Sequence, residues 1–129
     1  MSKAKGARTE RELLNLLWSN NWKCLRIAGS GVMPFPCPDL IAGKNGRSIA
    51  IECKSSKKTI YVEEQQVKDL LEFARGFGAE PYLGIRFNNM DWYFMHPKKA
   101  KFTGKNYAVS KDLALEHGIS LKSLLKSKS

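Results

Sequence analysis

Ser48-Ile49-Ala50-Ile51-Glu52-Cys53-Lys54 is the stretch of sequence on which both the fold and the function depend. A short run rich in branched apolar residues predicts a β-strand. Because side chains alternate across a strand, the two isoleucines and the cysteine share one face, which we expect to be core. Ala50, Glu52 and Lys54 share the other face, so a carboxylate and an ammonium group become neighbours on a rigid backbone.

A second carboxylate lies upstream, in Pro38-Asp39, separated from Glu52 by twelve residues that include the turn signal Lys44-Asn45-Gly46. If the strands on either side of this turn are antiparallel neighbours, Asp39 approaches Glu52. Adjacent carboxylates repel each other unless a cation lies between them. A site with few protein oxygens suits a magnesium ion that keeps several waters, polarises a phosphate and activates a bound water. Lys54 is then a candidate for orienting that water or neutralising charge in the transition state.

A third carboxylate is predicted on the first helix. Leu13, Leu14, Leu17 and Trp18 recur at helical spacing, and Glu10 precedes Leu13 by three residues, so its carboxylate lies on or beside the buried face. A carboxylate there needs a partner or a metal. Each piece alone has a plain structural interpretation, because Pro-Asp is common in turns and Glu-x-Lys on a strand is often a surface ion pair. The combination favours a hydrolytic metal site.

The remaining pattern predicts one α/β domain over residues 1–129, with a mixed central sheet flanked by helices. The predicted helices cover 7–20, 62–77, 111–116 and 121–126, and the predicted strands cover 23–28, 39–42, 48–54, 82–87, 92–95 and 106–109.

The net charge of +10 is the first indication of a partner. A domain this basic favours nucleic acid, although a solubilising lysine surface is the alternative. Neither a membrane-spanning apolar run nor a basic amphipathic membrane helix is found in the sequence. Three cysteines, without a Cys-x-x-Cys pair or a secretory signal, predict reduced thiols in the cytoplasm and argue against zinc or thiol chemistry.

An ordered series of blocks resembles the archaeal Holliday junction resolvases, within the restriction-endonuclease-like nucleases. The resemblance covers residues 5 to about 95. The blocks are Lys5-Gly6-Ala7, Glu10-Arg11-Glu12-Leu13, Arg26-x-Ala28-Gly29-Ser30, Pro38-Asp39-Leu40, Ile51-Glu52-Cys53-Lys54, Ile60-Tyr61-Val62, Gln66 and Leu71-Glu72-Phe73-Ala74-Arg75.

The resemblance implies a homodimer that cuts four-way DNA junctions by paired nicks, in recombination and repair. It implies that Glu10, Asp39 and Glu52 hold Mg²⁺, for which Mn²⁺ substitutes, and that the Cys53 carbonyl adds a ligand. Lys54 would stabilise the transition state. Further site residues implied or considered are the catalytic candidates Ser30 and Gln66, and the DNA-binding candidates Lys5, Arg11, Arg26, Ser30 and Lys57.

Alternatives remain open at several positions. Ser30 also reads as a turn serine, Arg26 as a salt-bridge residue, and Gln66 as an exposed helix residue. The apolar loop from Gly31 to Cys37 is either a disordered loop or a loop that engages DNA and becomes ordered on binding, where an apolar side chain would wedge into a distorted junction. Leftover apolar residues, Phe87, Trp92 and Phe94, are candidates for a dimer interface, although ordinary core is the expected role of each one taken singly. Rival functions are a nuclease of the same superfamily acting on flaps or ends, and a non-catalytic junction-binding module.

Overall fold

The computed structural model describes residues 3–29 and 32–126. Its elements, in chain order, are α1 (Lys3–Ser19), β1 (Lys23–Arg26), β2 (Leu40–Lys44), β3 (Arg47–Ser56), β4 (Ile60–Glu63), α2 (Glu64–Phe77), β5 (Glu80–Phe87), β6 (Tyr93–Met95), a 3-10 turn (Pro97–Lys99), β7 (Lys101–Phe102), β8 (Asn106–Val109), α3 (Lys111–His117) and α4 (Leu121–Leu124). In these residues no helix combines the length and the apolar character needed to span a membrane.

The main sheet has five strands in the order β1-β2-β3-β5-β6, with β3 at its centre. The first three strands form an antiparallel meander, and β5 then pairs with β3 in parallel. A parallel pair needs a crossover connection, which β4 and α2 supply. Because both ladders of β3 are occupied, its backbone is fixed on both sides and its side chains are held in a defined register.

Two apolar layers enclose this sheet. The alternation in β3 places Ile49, Ile51 and Cys53 in one core cluster with Leu13 and Leu17 of α1, as the sequence predicts. Ala50 belongs to the second cluster, which α2, β4, β8 and α3 build on the opposite face. The expected α/β class with a mixed central sheet and flanking helices is therefore confirmed.

Gly84 on β5 shows how closely the strands and the covering side chains approach. A Cβ atom at this position would lie 3.0 Å from Ile51 Cγ2 and 3.3 Å from the ring of Phe94. Glycine is accommodated here because the space that a side chain would need is filled by the neighbouring strands.

The structure corrects one helix boundary and decides between two roles. The helix predicted over 62–77 begins instead at Glu64, and Ile60–Glu63 form a strand that belongs to a second sheet with the order β4-β8-β7. Phe87, Trp92 and Phe94 are 0%, 5% and 0% exposed, so the core role expected of each is confirmed and none is available for a dimer interface. Trp92 additionally donates from Nε1 to the carboxylate of Glu12, 2.6 Å away.

Arg47, at the start of β3, anchors the end of the chain. Its guanidinium donates to both carboxylate oxygens of Glu80 at 2.7 and 3.0 Å, and to the carbonyls of Leu124 and Lys126. It also lies over the Trp22 ring, 5.5 Å from the centroid. One planar side chain therefore joins the central strand, β5 and α4.

We expect Arg47→Ala to lower the free energy of unfolding by about 2 kcal/mol, because the half-buried Glu80 carboxylate loses its two-pronged charged donor, keeping the Tyr82 hydroxyl, and two carbonyls lose the guanidinium. Urea unfolding and amide hydrogen exchange of residues 121–126 would measure this. Arg47→Lys should recover only part of the loss, since an ammonium group cannot reproduce the two-pronged contact. Lys44→Ala, an exposed change in the same hairpin, is the control. Unchanged exchange in Arg47→Ala would contradict the anchoring role.

Candidate active site

Asp39 and Glu52 are brought together by the β2–β3 hairpin. The register pairs Leu40 with Ile51, so that Asp39 precedes β2 directly opposite Glu52. Asp39 Oδ2 accepts a hydrogen bond of 2.9 Å from the main-chain nitrogen of Cys53, and the Glu52 carboxylate accepts one from the main chain of Asp39. These crossed bonds fix both carboxylates relative to the two strands.

The electrostatic environment of Glu52 favours its neutral form when no cation is present. Burial raises the pKa of this carboxyl to about 8, and the negative charges of Asp39 and Glu10 add to the rise, whereas Lys54 opposes it. The site therefore contains more negative charge than its own residues compensate. A bound cation would favour the ionised form of Glu52.

Lys54 projects from the same face of β3 as Glu52, as the alternation predicts. Its Nζ lies 3.9 Å from Glu52 Oε2 and donates to Gln66 Oε1 at 3.3 Å. Gln66 also accepts from the main-chain nitrogen of Glu63 at 3.3 Å, as part of the capping interaction that begins α2. The helix cap thus holds the glutamine that positions the lysine, and Gln66 is half-buried rather than exposed on the surface.

Glu10 lies beside this pair but is engaged by Arg26. Arg26 Nε donates to Glu10 Oε1 at 2.9 Å, and the two side chains are only 19% and 15% exposed. Burial, and then the charge of Asp39, raise the pKa of Glu10, while Arg26 lowers it. The salt-bridge interpretation of Arg26 is confirmed; its contact with DNA stays a prediction.

We expect Arg26→Ala to destabilise the protein by about 1–3 kcal/mol at pH 8, because a buried carboxylate loses its partner. Without Arg26 the pKa of Glu10 rises further. A raised pKa costs stability as the pH rises through it, so the loss should be smaller at pH 5 than at pH 8, because the lower pH favours the protonated carboxyl. Urea unfolding at both pH values tests this. Arg75→Ala, the same change at an exposed position of α2, is the control. An equal loss at both pH values would contradict the explanation.

The donor set determines which metal the site suits. Within residues 3–29 and 32–126, no three His, Cys, Asp or Glu residues form a group that could hold a metal ion by themselves. The hairpin instead offers a carboxylate pair, Asp39 and Glu52, with the Cys53 carbonyl on the same strand and Glu10 nearby. An incomplete set of hard oxygen donors fits a magnesium ion, which is bound through one or two carboxylates, waters and substrate phosphate.

A cavity of about 450 Å³ opens onto Glu52. The segment 33–37 forms one wall, and the first two turns of α2 form the other. Its polar lining comprises Glu52, Glu63, Gln65, Gln66 and Asp69. Gln65 and Asp69 were not predicted from the sequence as site residues, although their spacing of four residues places them on the same helix face as each other.

The other candidate residues are distributed as follows. Arg11 is exposed on α1 and close enough to lower the pKa of Glu10, and Lys57 is exposed directly after β3. Lys5 belongs to α1, but its side chain lies outside the described structure, as does all of Ser30. Glu10, Asp39, Glu52, Lys54 and Gln66 thus gather in one place. Their catalytic roles, and the DNA contacts of the basic residues, stay predictions.

Comparisons with known proteins agree on one family. The family model described as archaeal Holliday junction resolvase (hjc) matches residues 1–129. Crossover junction endodeoxyribonuclease Hjc of Archaeoglobus fulgidus is 41% identical over 112 residues, which cover 86% of this chain and 82% of that protein. The Methanocaldococcus jannaschii protein of the same name is 40% identical over 107 residues, 81% and 75% of the two chains. The crystal structure of the A. fulgidus Hjc superposes with a TM-score of 0.86 at 37% identity, covering 92% of this chain and 98% of that one.

Proposed function

This chain belongs to the archaeal Holliday junction resolvase family, and from that premise we propose how its site cuts DNA. It is a crossover junction endonuclease, which hydrolyses phosphodiester bonds at four-way junctions. The observation that carries the proposed mechanism is the pairing of Asp39 with Glu52 across the β2–β3 hairpin, with Lys54 beside them. We propose that this group is the catalytic centre and that Mg²⁺, or Mn²⁺ in its place, is the cofactor.

Each residue then has a task that follows from its position. Asp39 and Glu52 would hold the ion, Glu10, which is paired with Arg26, would be a further carboxylate donor, and the Cys53 carbonyl is available on the same strand as Glu52. Magnesium, when bound, supplies polarisation of the phosphate and a more acidic water. Lys54, fixed by Gln66, places a positive charge where negative charge accumulates on the phosphate oxygens during attack. The rigid β3 backbone supports this geometry, since both of its ladders are paired.

Binding of the junction rests on the net charge of +10 and on shape. Phosphate contacts release counterions, so affinity should fall steeply with salt. The proposed contacts are Arg11, exposed close to Glu10, and Lys57, exposed directly after β3, together with Lys5, Ser30 and Arg26. Binding of the junction does not require any described element to contact base edges, because the distorted DNA backbone at the junction can supply the selectivity.

We propose that the enzyme works as a homodimer, because two symmetric strands require two sites related by a two-fold axis. An apolar surface on α2 supports this: Phe77 is 57% exposed, and its ring stacks on Phe73 with centroids 5.4 Å apart, next to Pro36. The three cysteines are free thiols, which supports a place of action in a reducing cytoplasm.

The test is a cleavage assay with 1–10 mM magnesium, about the physiological range for a weakly held ion. Four-way junction, flap and duplex substrates of the same sequence are compared. Paired nicks in the junction, with little cutting of the others, are expected. Preferential cutting of the flap would instead support the alternative nuclease, and junction binding without nicking would support a binding module. Light scattering of the same sample measures the dimer.

A further inference from the structure

An exposed aromatic ring lies at the mouth of the cavity that contains Glu52. It belongs to residues 32–38, which we call the proline loop. Phe35 in this loop is 72% exposed, and the neighbouring apolar residues Val32 and Met33 are 82% and 45% exposed. Adjacent apolar side chains left in water typically mark a binding surface. None of the tasks assigned above uses this ring.

The backbone of the proline loop has little freedom. Pro34, Pro36 and Pro38 have a fixed φ, and the residue before each of them is restricted to extended conformations, so every position from 33 to 38 is constrained. The loop is also fastened on both sides: Ile27 donates from its main chain to the Asp39 carbonyl, and Val32 to the Gly29 carbonyl, each at 2.9 Å. The ring is therefore presented in advance, and little conformational entropy is lost when it binds.

The cavity beside the ring is better suited to a nucleobase than to a further phosphate. Phe35 and Glu52 both line it, and the opposite wall carries the carboxylates of Glu63 and Asp69. These charges disfavour any phosphate that is not paired with a cation. A base is flat and uncharged, and the Gln65–Asp69 pair on that wall offers polar atoms to its edge.

We infer that Phe35 stacks on a nucleobase at the branch point of the junction, next to the phosphate that is cut at Glu52. The inference rests on the proposed function and adds a specificity residue to it. In a continuous duplex every base is already stacked on both faces, so the Phe35 ring finds no free base face on which to stack. At a branch point, stacking is interrupted, and an exposed base face is available. Stacking on an aromatic side chain tolerates any base sequence.

The first experiment measures equilibrium binding of the full-length protein to a four-way junction and to a duplex of the same sequence, without divalent cations, so that no cutting occurs. Phe35→Ala and Phe35→Leu should weaken junction binding about tenfold or more, the effect of one lost base–aromatic stack. Duplex binding should change less than about twofold. Phe35→Tyr and Phe35→Trp should bind like the parent protein. Leu115→Ala, an exposed apolar change on α3, is the matched control.

The second experiment places 2-aminopurine at the nucleotides beside the branch point and follows its fluorescence on binding. The parent protein and Phe35→Tyr should change the signal at one position, and Phe35→Ala, at saturating concentration, should not. Equal junction affinity of parent and Phe35→Ala would overturn the inference, as would an equal loss for junction and duplex. A Phe35→Ala protein that is monomeric by light scattering would also overturn it, because the ring would then be a subunit contact.

The stacking role of Phe35 and the proposed nuclease function can be disproved independently of each other. Phe35→Ala added in saturating amounts with magnesium should still nick the junction, since Asp39, Glu52 and Lys54 are intact. If it nicks but binds like the parent, the stacking inference is wrong and the nuclease assignment stands. If the parent protein itself does not nick in magnesium, the proposed function is wrong whatever the binding data show.

Discussion

Glu52→Gln is expected to abolish magnesium-dependent nicking, by roughly 10³-fold or more, while junction binding is kept. The amide has the shape of the carboxylate but cannot provide the negative charge that holds the ion opposite Asp39. The loss of metal-assisted attack removes the largest contribution to the rate. Junction affinity measured at neutral pH without divalent cations should stay equal, because the metal-free Glu52 carboxyl, with a pKa of about 8, is mostly neutral there already.

Single-turnover cutting of a labelled junction measures the first effect, and binding without divalent cations measures the second. Glu72→Gln, the same chemical change at an exposed position of α2, is the matched control and should cut normally. If Glu52→Gln cuts at the parent rate, Glu52 is not a metal ligand, and the proposed catalytic centre is wrong.

The same substitution should make the metal-free protein more stable at alkaline pH. The pKa of Glu52 is about 8 in the folded protein and about 4.5 when unfolded, so the folded state favours the protonated carboxyl. Stability therefore falls as the pH rises from 4.5 through 8, and the full cost is present above 8. At pH 9 the cost is on the order of several kcal/mol, since each tenfold change in proton affinity is worth about 1.4 kcal/mol. Glu52→Gln removes this cost.

Thermal unfolding at pH 5 and pH 9, without divalent cations, tests this effect. The variant should match the parent at pH 5 and exceed it at pH 9. Added magnesium should raise the melting temperature of the parent at pH 9 but not that of the variant, because only the carboxylate pair binds the ion. A variant that is less stable than the parent at pH 9 would contradict the burial of a charge at this position.

The arrangement of Asp39, Glu52 and Lys54 could be predicted because local rules decide it. Strand alternation fixes the face of Glu52 and Lys54, and a turn at Asn45-Gly46 brings Asp39 back to them. The partners of these residues could not be predicted in the same way. The contacts of Arg26 with Glu10 and of Lys54 with Gln66 join different elements, and their geometry exists only after the helices pack on the sheet.

The errors have physical causes as well. In β4 only Ile60 and Val62 face inward. Val62 also fits the helical spacing of the buried residues of α2, so the hydrophobic pattern placed the end of this strand in the helix. The capping interaction between Glu63 and Gln66 was the available signal for the true start. For Phe87 and Phe94 the sequence left both a core and an interface role open, because an apolar residue on a strand looks the same in a core and in a subunit contact; their burial decides for the core.

The anchoring of Arg47 bears on the fidelity of strand pairing. A shift of β3 by a single residue along either neighbour would exchange its faces, sending the carboxylate of Glu52 into the apolar layer under α1. Such a shift would also separate Arg47 from Glu80 and from the carbonyls at the end of the chain, so the misaligned state loses several contacts at once. A salt bridge five residues away from Glu52 thereby penalises the alignment errors that would misplace the catalytic groups.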